Sequence, residues 1–352
     1  MSHIAALTSG STTPSARFRV RQYIPHLRQR GISVEDHSPA LSQSARLPGF
    51  LGSVRTRYIA PLAVTQALTN FAFRIPGIVA SHRARVTWLE RNFVPGLDDL
   101  SVVLKRPLVI DIDDSIWLYN PMGNSAVRRL LSRADTVLAG NSFLADWCSN
   151  HCKHVEIVPT AVDTSRFTPR LRSNELEAPF TVGWTGTSGN FRFLRLIEPA
   201  LANFLQRYPT AEFLVVADHK PNLPSLPAQQ VKFEPWQATS EADVLRRFDV
   251  GIMPLDDSEL SRGKCSFKML QYMAAGVPVV VSPYGMNRDV LGYAEVGVGA
   301  VSNTDWTDAL GHYCANPNIR TLHGAAGRAL AQTRFDTALV AAHIANIFGR
   351  YL

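Results

Sequence analysis

The sequence predicts an α/β protein built as two doubly wound, Rossmann-like domains, and three observations carry that expectation. The chain has 352 residues, more than one hydrophobic core ordinarily serves. Short β-branched runs alternate with helical patterns, the rhythm of a parallel sheet with crossover helices. That rhythm stops once, in a stretch of prolines and charges, and then restarts.

In the first half, predicted strands cover His3–Thr8, Val86–Leu89, Leu108–Ile112, Thr136–Ala139 and Val155–Val158, with a helix over Arg17–Arg30. The interruption is 166–179, where Pro169, Pro179 and the run Asn174-Glu-Leu-Glu177 break periodicity and read as a linker. The rhythm resumes with Phe180–Trp184, Phe213–Ala217, Val231–Phe233, Val250–Pro254 and Val277–Ser282. The expected division is therefore 1–165, a linker 166–179, a second domain 180–335 and a terminal segment 336–352. Two such domains facing across a cleft bind ligands at the carboxyl ends of their strands.

Composition narrows the classes. Apolar residues make up 46% and charged residues 18%, which is globular and argues against disorder. The amino terminus lacks a basic n-region with a secretory apolar core, and no apolar run is long enough to span a membrane. A cytoplasmic protein is expected, with reduced cysteines. Residues 1–170 hold 20 Lys+Arg against 12 Asp+Glu, and 171–352 hold 16 against 17, so the first half carries the whole net charge of +7. Such a half suits an anionic membrane surface or a phosphorylated acceptor. No aromatic–basic motif points to nucleic acid as a partner.

The richest segment is Ser261–Ser282, which reads as polar loop, helix and buried strand. Lys264, Lys268 and Gln271 follow at i, i+4 and i+7 on one face, with Phe267, Leu270 and Ala274 on another. A helix start near Gly263, flanked by Arg262 and Lys264, suits a diphosphate. The same lysines also fit the solvated face of an amphipathic helix. Gly186-Thr187-Ser188-Gly189 follows a strand and precedes a helix, which suits a phosphate or a plain capped turn. Trp236 follows the strand Val231–Phe233, where it either stacks on a base or packs. Asp111, Asp113 and Asp114 crowd the end of the strand Leu108–Ile112, and clustered carboxylates there are solvated, paired or functional. Arg17, Arg19 and Arg21 open the first helix; Arg17 and Arg21 share a face and Arg19 does not.

These motifs together resemble the group 1, or family 4, glycosyltransferases of the GT-B fold. Ala274-Ala-Gly276-Val-Pro278-Val-Val matches the family's Ala-x-Gly-x-Pro-Val-Val. Val158-Pro-Thr-Ala-Val-Asp163 is similar to its interdomain Pro-Asn-Gly-Val-Asp signature, and Phe180–Gly186 to the first strand of its donor domain. The resemblance implies transfer of a sugar from a nucleoside-diphosphate sugar to a glycan, lipid-linked or small-molecule hydroxyl, as in cell-envelope glycan synthesis. It also implies retention at the anomeric carbon and neither metal nor further cofactor. Donor residues would be Gly186, Thr187, Ser188, Trp236, Arg262, Lys264, Lys268 and Gln271. Asp113, in place of the family's histidine, and Asp114 would serve catalysis, with Arg17 and Arg19 on the acceptor side. A last helix over Thr337–Tyr351 would pack back on the amino-terminal domain. The sequence departs from the family where two glutamates eight positions apart are usual: it has Gly263 and Gln271, a variant donor site.

Other readings stand beside this one. The missing glutamates fit a non-catalytic nucleotide-sugar or glycan binder. Asp111-x-Asp113-x-Ser115 is similar to the haloacid-dehalogenase phosphatases, with Asp111 as nucleophile and Mg²⁺ bound, although that motif belongs on a first strand. Cys148, His151, Cys152 and His154 fit no standard zinc spacing. Residues 46–85 mix apolar residues with Arg55, Arg57, Arg74, Arg83, Tyr58, Phe71 and Phe73, which suits a peripheral membrane helix or a core helix.

Overall fold

The computed structural model describes residues 2–39, 60–95, 97–119, 123–170 and 179–352. Two compact units emerge: Met1–Thr160 with Gly263–Cys265 and Thr337–Leu352, and Ala161–Arg262 with Ser266–Asp336. Residues 171–178 of the predicted linker, and Arg46, Arg55, Arg57 and Tyr58 of the predicted membrane segment, lie outside the described residues.

In unit 1, β1 (Ser2–Leu7), β2 (Ile32–His37), β3 (Val86–Glu90), β4 (Leu108–Ile112), β5 (Thr136–Ala139) and β6 (Val155–Ile157) form one sheet in the order β2-β1-β3-β4-β5-β6. Every pairing is parallel. Strands β3, β4 and β5 are buried along their whole length, which is why they read as continuous apolar runs. The order reverses between β1 and β3, the switch point where doubly wound sheets take ligands beyond their carboxyl ends. Opposite Glu90 on β3 stands Asp111 on β4, so the carboxyl-end residues of these strands are level.

The single helix expected over Arg17–Arg30 is three pieces: Pro14–Arg19, a 3-10 turn Arg21–Tyr23, and Ile24–Gln29. Val20 leaves helical geometry at φ −127°, ψ −64°, and Pro25, lacking an N–H, sits in the first turn of the following piece. The terminal helix Thr337–Gly349 belongs to this unit. Phe348 meets Trp88 edge-on at 5.1 Å, and the Tyr351 hydroxyl lies 2.6 Å from that of Thr136.

Unit 2 repeats the plan with β7 (Thr181–Gly186), β8 (Glu212–Ala217), β9 (Val231–Pro235), β10 (Val250–Met253), β11 (Val279–Val281) and β12 (Gly297–Gly299), ordered β12-β11-β10-β7-β8-β9 and parallel throughout. Its core gathers Trp184, Phe204, Phe213, Trp306 and Tyr313. Gly183 on β7 is required by packing, since a Cβ there would sit 2.0 Å from the Phe248 ring. Strands β2 and β12 are additions to the sequence expectation.

Of the membrane-segment residues, Arg74 lies on the helix Ala60–Arg83 but is 1% exposed. Its guanidinium donates to the carbonyls of Thr8, Asn92 and Phe93, and this burial withdraws it from any membrane surface. Among the described residues no helix is long and apolar enough to cross a membrane.

Candidate functional site

The carboxyl end of the first sheet is a nest of buried charge. Asp111 is the fourth residue of β4 and wholly buried, and Arg19, also wholly buried, donates from Nε to its Oδ1 at 2.7 Å. Arg19 Nη1 reaches the Thr160 hydroxyl at 3.2 Å. Burial opposes the charge on Arg19, but Asp111 holds its pKa above the ordinary arginine value. Burial pushes Asp111 up to about 7 against the pull of Arg19, and the anions Asp113 and Glu90 add to the rise. Arg19 is thus a structural cation spent on Asp111, which corrects the expectation that it contacts an acceptor directly. Arg17 is half-buried, its guanidinium 4.8 Å from the Phe18 ring centroid.

Next to this pair stands a residue the sequence did not single out. Arg91 follows β3 with φ 60°, a left-handed conformation rare for a side-chain-bearing residue. Its Nε donates to Asp113 Oδ1 at 2.5 Å and lies 3.5 Å from Glu90 Oε1, and Nη2 is 3.7 Å from Asp114 Oδ2. The Tyr119 hydroxyl donates to the other side of the cluster, at Asp114 Oδ2. Burial alone would raise Asp113, but Arg91 and then Arg19 overcome it and hold the carboxyl below the usual range. Asp113 and Asp114 therefore occur together, as expected, and the cation between them is Arg91.

Gly263–Cys265 joins the same cluster. Asn141 Nδ2 donates to the Lys264 carbonyl at 3.1 Å, and the Cys265 thiol donates to the Asp113 carbonyl at 3.1 Å. A Cβ on Gly263 would lie 2.0 Å from Ser115 Oγ. Any side chain at 263 would therefore have to displace the Ser115 hydroxyl, and glycine allows the close approach. The helix begins only at Phe267, after Ser266 in a left-handed conformation at φ 48°. Lys264 thus precedes the helix and does not share its face with Lys268 and Gln271, contrary to the i, i+4, i+7 expectation.

In unit 2, Gly186 ends β7, and its bare Cα lets Lys268 and Trp184 close in: a Cβ would fall 2.7 Å from Lys268 Cε. The Lys268 ammonium stands 5.8 Å from the Trp184 ring centroid. Ser188 gives both its backbone N–H (2.6 Å) and its hydroxyl (2.8 Å) to the Asp218 carboxylate beyond β8. Thr187 is exposed and its hydroxyl accepts from Asn190 Nδ2 at 3.0 Å. Gln271 is 2% exposed and donates to Glu241 Oε1 at 3.0 Å, the atom that also accepts from Trp236 Nε1 at 3.3 Å. Arg166 binds the other Glu241 oxygen at 3.1 Å. Gln271 and Trp236 are thus brought together by Glu241, a second residue the sequence reading missed. Arg262 stands apart from them on Asp257 at 2.7 Å.

The zinc and phosphatase motifs resolve differently. Cys148 is buried, which pushes its thiol up to about 12, and Cys152 donates to the carbonyls of Ala134 and His154. Among the described residues no group of three or more His, Cys, Asp and Glu is arranged to hold a metal. Asp111, the nucleophile of the phosphatase reading, has no accessible surface and is bound by Arg19, so no phosphoryl group can reach it.

Comparison with known proteins follows the division into two sheets. Residues 180–316, which contain β7 to β12, match the family model described as Glycosyl transferases group 1. No curated protein matches the chain in sequence. Among solved structures it is similar to a sucrose-phosphate synthase from Thermosynechococcus elongatus, with TM-score 0.71, 14% identity and 99% of each chain covered. HepE of Anabaena in complex with UDP and glucose gives TM-score 0.70 and 16% identity, over 99% of this chain and 100% of that one. WaaG, a glycosyltransferase involved in lipopolysaccharide biosynthesis, gives 0.68 and 14%, over 98% and 99%. At such identities the likeness is one of architecture, and it assigns the chain the two-sheet α/β fold of the GT-B class.

Proposed function

We propose that this chain is a glycosyltransferase that moves a sugar from a nucleoside-diphosphate sugar to a hydroxyl of a glycan, lipid-linked or small-molecule acceptor. The observation that carries the reading is the match of residues 180–316 to the group 1 glycosyltransferase model, over the sheet whose switch point presents Gly186, Ser188 and Lys268. The UDP and glucose bound by HepE support a nucleotide-sugar donor. Lys268, with Lys264 and Arg262, supplies positive charge for a departing diphosphate without a metal. Trp236 offers the nucleobase a flat, 40% exposed ring. Asp113 and Asp114 take hydroxyls of the transferred sugar, which leaves with retention, and Arg17 faces the acceptor. The basic excess of residues 1–170 supports contact with an anionic membrane face.

The test is a thermal-shift and calorimetric screen of UDP, GDP, ADP and their common sugars, with EDTA present, on wild type, Lys264→Ala and Lys268→Ala. One nucleotide should stabilise the wild type, and either lysine variant should bind it about tenfold more weakly. No nucleotide binding to wild type removes the reading. Binding without slow hydrolysis of any donor sugar favours a non-catalytic binder, the alternative raised by Gly263 and Gln271.

A further inference from the structure

Arg91 is placed unlike the other described arginines of unit 1. Its backbone holds φ 60°, a conformation that persists only where the surroundings enforce it. The distortion turns the side chain from the end of β3 toward the loop after β4, among Glu90, Asp113 and Asp114. The guanidinium keeps only 23% of its side-chain surface, and Asp113 and Asp114 keep 12% and 14%. Arg74 anchors the carbonyls of Asn92 and Phe93, the two residues that follow, so the turn is held from behind.

We propose that Arg91 is a positioning residue whose guanidinium fixes and orients the Asp113 carboxylate for the transferred sugar. The proposal rests on the glycosyl-transfer reading and assigns a role which that reading leaves open. Asp113 then works as a fixed anion, accepting hydrogen bonds from sugar hydroxyls and opposing positive charge that develops at the anomeric carbon. Around Asp113 stand the cations Arg91 and Arg19, the carboxylates Asp111, Asp114 and Glu90, the Tyr119 hydroxyl and the Cys265 thiol. Without Arg91, burial and the neighbouring acids Asp111, Asp114 and Glu90 favour its protonation against Arg19 alone.

Carbon-13 NMR of protein labelled at the aspartate carboxyl carbons tests this, with Asp113 assigned by the signal lost in Asp113→Asn. In wild type the Asp113 resonance should keep its ionised position from about pH 5 to 8, moving only slightly as Asp111 titrates near 7, and in Arg91→Met it should show a full titration shift inside that window. Turnover of UDP-glucose by hydrolysis should fall about 100-fold in Arg91→Met with KM changed less than about threefold. Arg91→Lys should recover part of that turnover. Arg91→Gly relieves the left-handed backbone yet should behave like Arg91→Met, which separates charge from strain and serves if Arg91→Met does not fold. Titration of Asp113 in wild type above pH 5, or an unchanged titration in both Arg91→Met and Arg91→Gly, overturns the proposal. Expected titrations in a protein that neither binds nor hydrolyses any nucleotide sugar would retain the clamp and remove the transferase reading instead.

Discussion

The carboxyl ends of the two sheets solve the problem of holding polar groups in opposite ways. In unit 1, Arg19 meets Asp111 with neither side chain exposed, and Arg91 meets Asp113 with little more. In unit 2 only Glu241 and Gln271 of the groups described are buried, and the rim lies near the surface: Asp218, which takes the Ser188 amide, keeps 45% of its side-chain surface, and Trp236 is 40% exposed. A buried ion pair incurs its desolvation when the chain folds, and afterwards its geometry is fixed. A surface hydrogen bond is worth little and exchanges readily for a ligand. The carboxyl end of the first sheet is therefore preset, and the rim of the second is arranged to trade partners.

The harshest way to break that contrast is to unpair the first sheet. Arg19→Met leaves Asp111 buried beside Asp113 and Glu90, and should cost about 3–5 kcal/mol in urea unfolding. The double variant Arg19→Met/Asp111→Leu should recover much of the loss, since it leaves neither charge of that pair buried without the other. The sign with pH follows from Asp111, whose folded pKa of about 7 exceeds the ordinary carboxylate value of about 3.9. The folded state binds the extra proton, so this group's contribution is present below about pH 4 and is lost as pH rises toward 7. Asp113 runs the other way. Its depressed pKa adds stability above the unfolded value, and that stability is lost as pH falls through the folded one.

A second experiment asks whether unit 2 tolerates the charge that unit 1 is built around. Gln271→Glu would set a carboxylate 3.0 Å from Glu241 in a position 2% exposed. It should cost about 2–3 kcal/mol at neutral pH. The new glutamate's pKa would be raised, so the deficit should shrink as pH falls toward 5, and Glu241→Gln should suppress it. Stability unchanged by Gln271→Glu at every pH would show that the site accepts a second carboxylate and is no sparser in charge than the first. Gly263→Glu meets the Ser115 hydroxyl instead of a carboxylate. With a Cβ 2.0 Å from Ser115 Oγ, it should lose about 1–3 kcal/mol, and Gly263→Ala should lose a similar amount.

How far these features can be read in the sequence follows from their range. Strands β4 and β5 are found to the residue because both faces are buried and the run of Leu108–Ile112 or Thr136–Ala139 is unbroken. β2 escapes because only Ile32 and Val34 alternate before Glu35 and Asp36 end the pattern, and β12 because it is three residues, two of them glycine. The carboxylates announced themselves by adjacency. Arg91 did not, since its partners Asp113 and Asp114 lie in the loop after the next strand and its left-handed φ carries no mark in an arginine. Glu241 likewise acts through Gln271 and Trp236 only once the chain has folded. A basic residue directly after a buried strand and next to an acid, as in Glu90-Arg91, is the signal that a closer reading could have used.

The smallest expected effect on stability is also the sharpest probe of exchange at the second sheet. Trp236 donates to Glu241 at 3.3 Å with 40% of its surface in water, so Trp236→Ala removes a partly solvated contact and should shift stability by no more than about 1 kcal/mol. If the ring serves the nucleobase, the same variant should weaken binding of the stabilising nucleotide by about tenfold in calorimetry, while Trp236→Phe keeps most of the affinity because it keeps the flat face. Equal affinity for wild type and Trp236→Ala would mean that the ring only covers Glu241. The exposed rim of unit 2 would then be packing, like the buried pairs of unit 1, and the contrast between the two sheets would have to rest on Ser188 and Lys268.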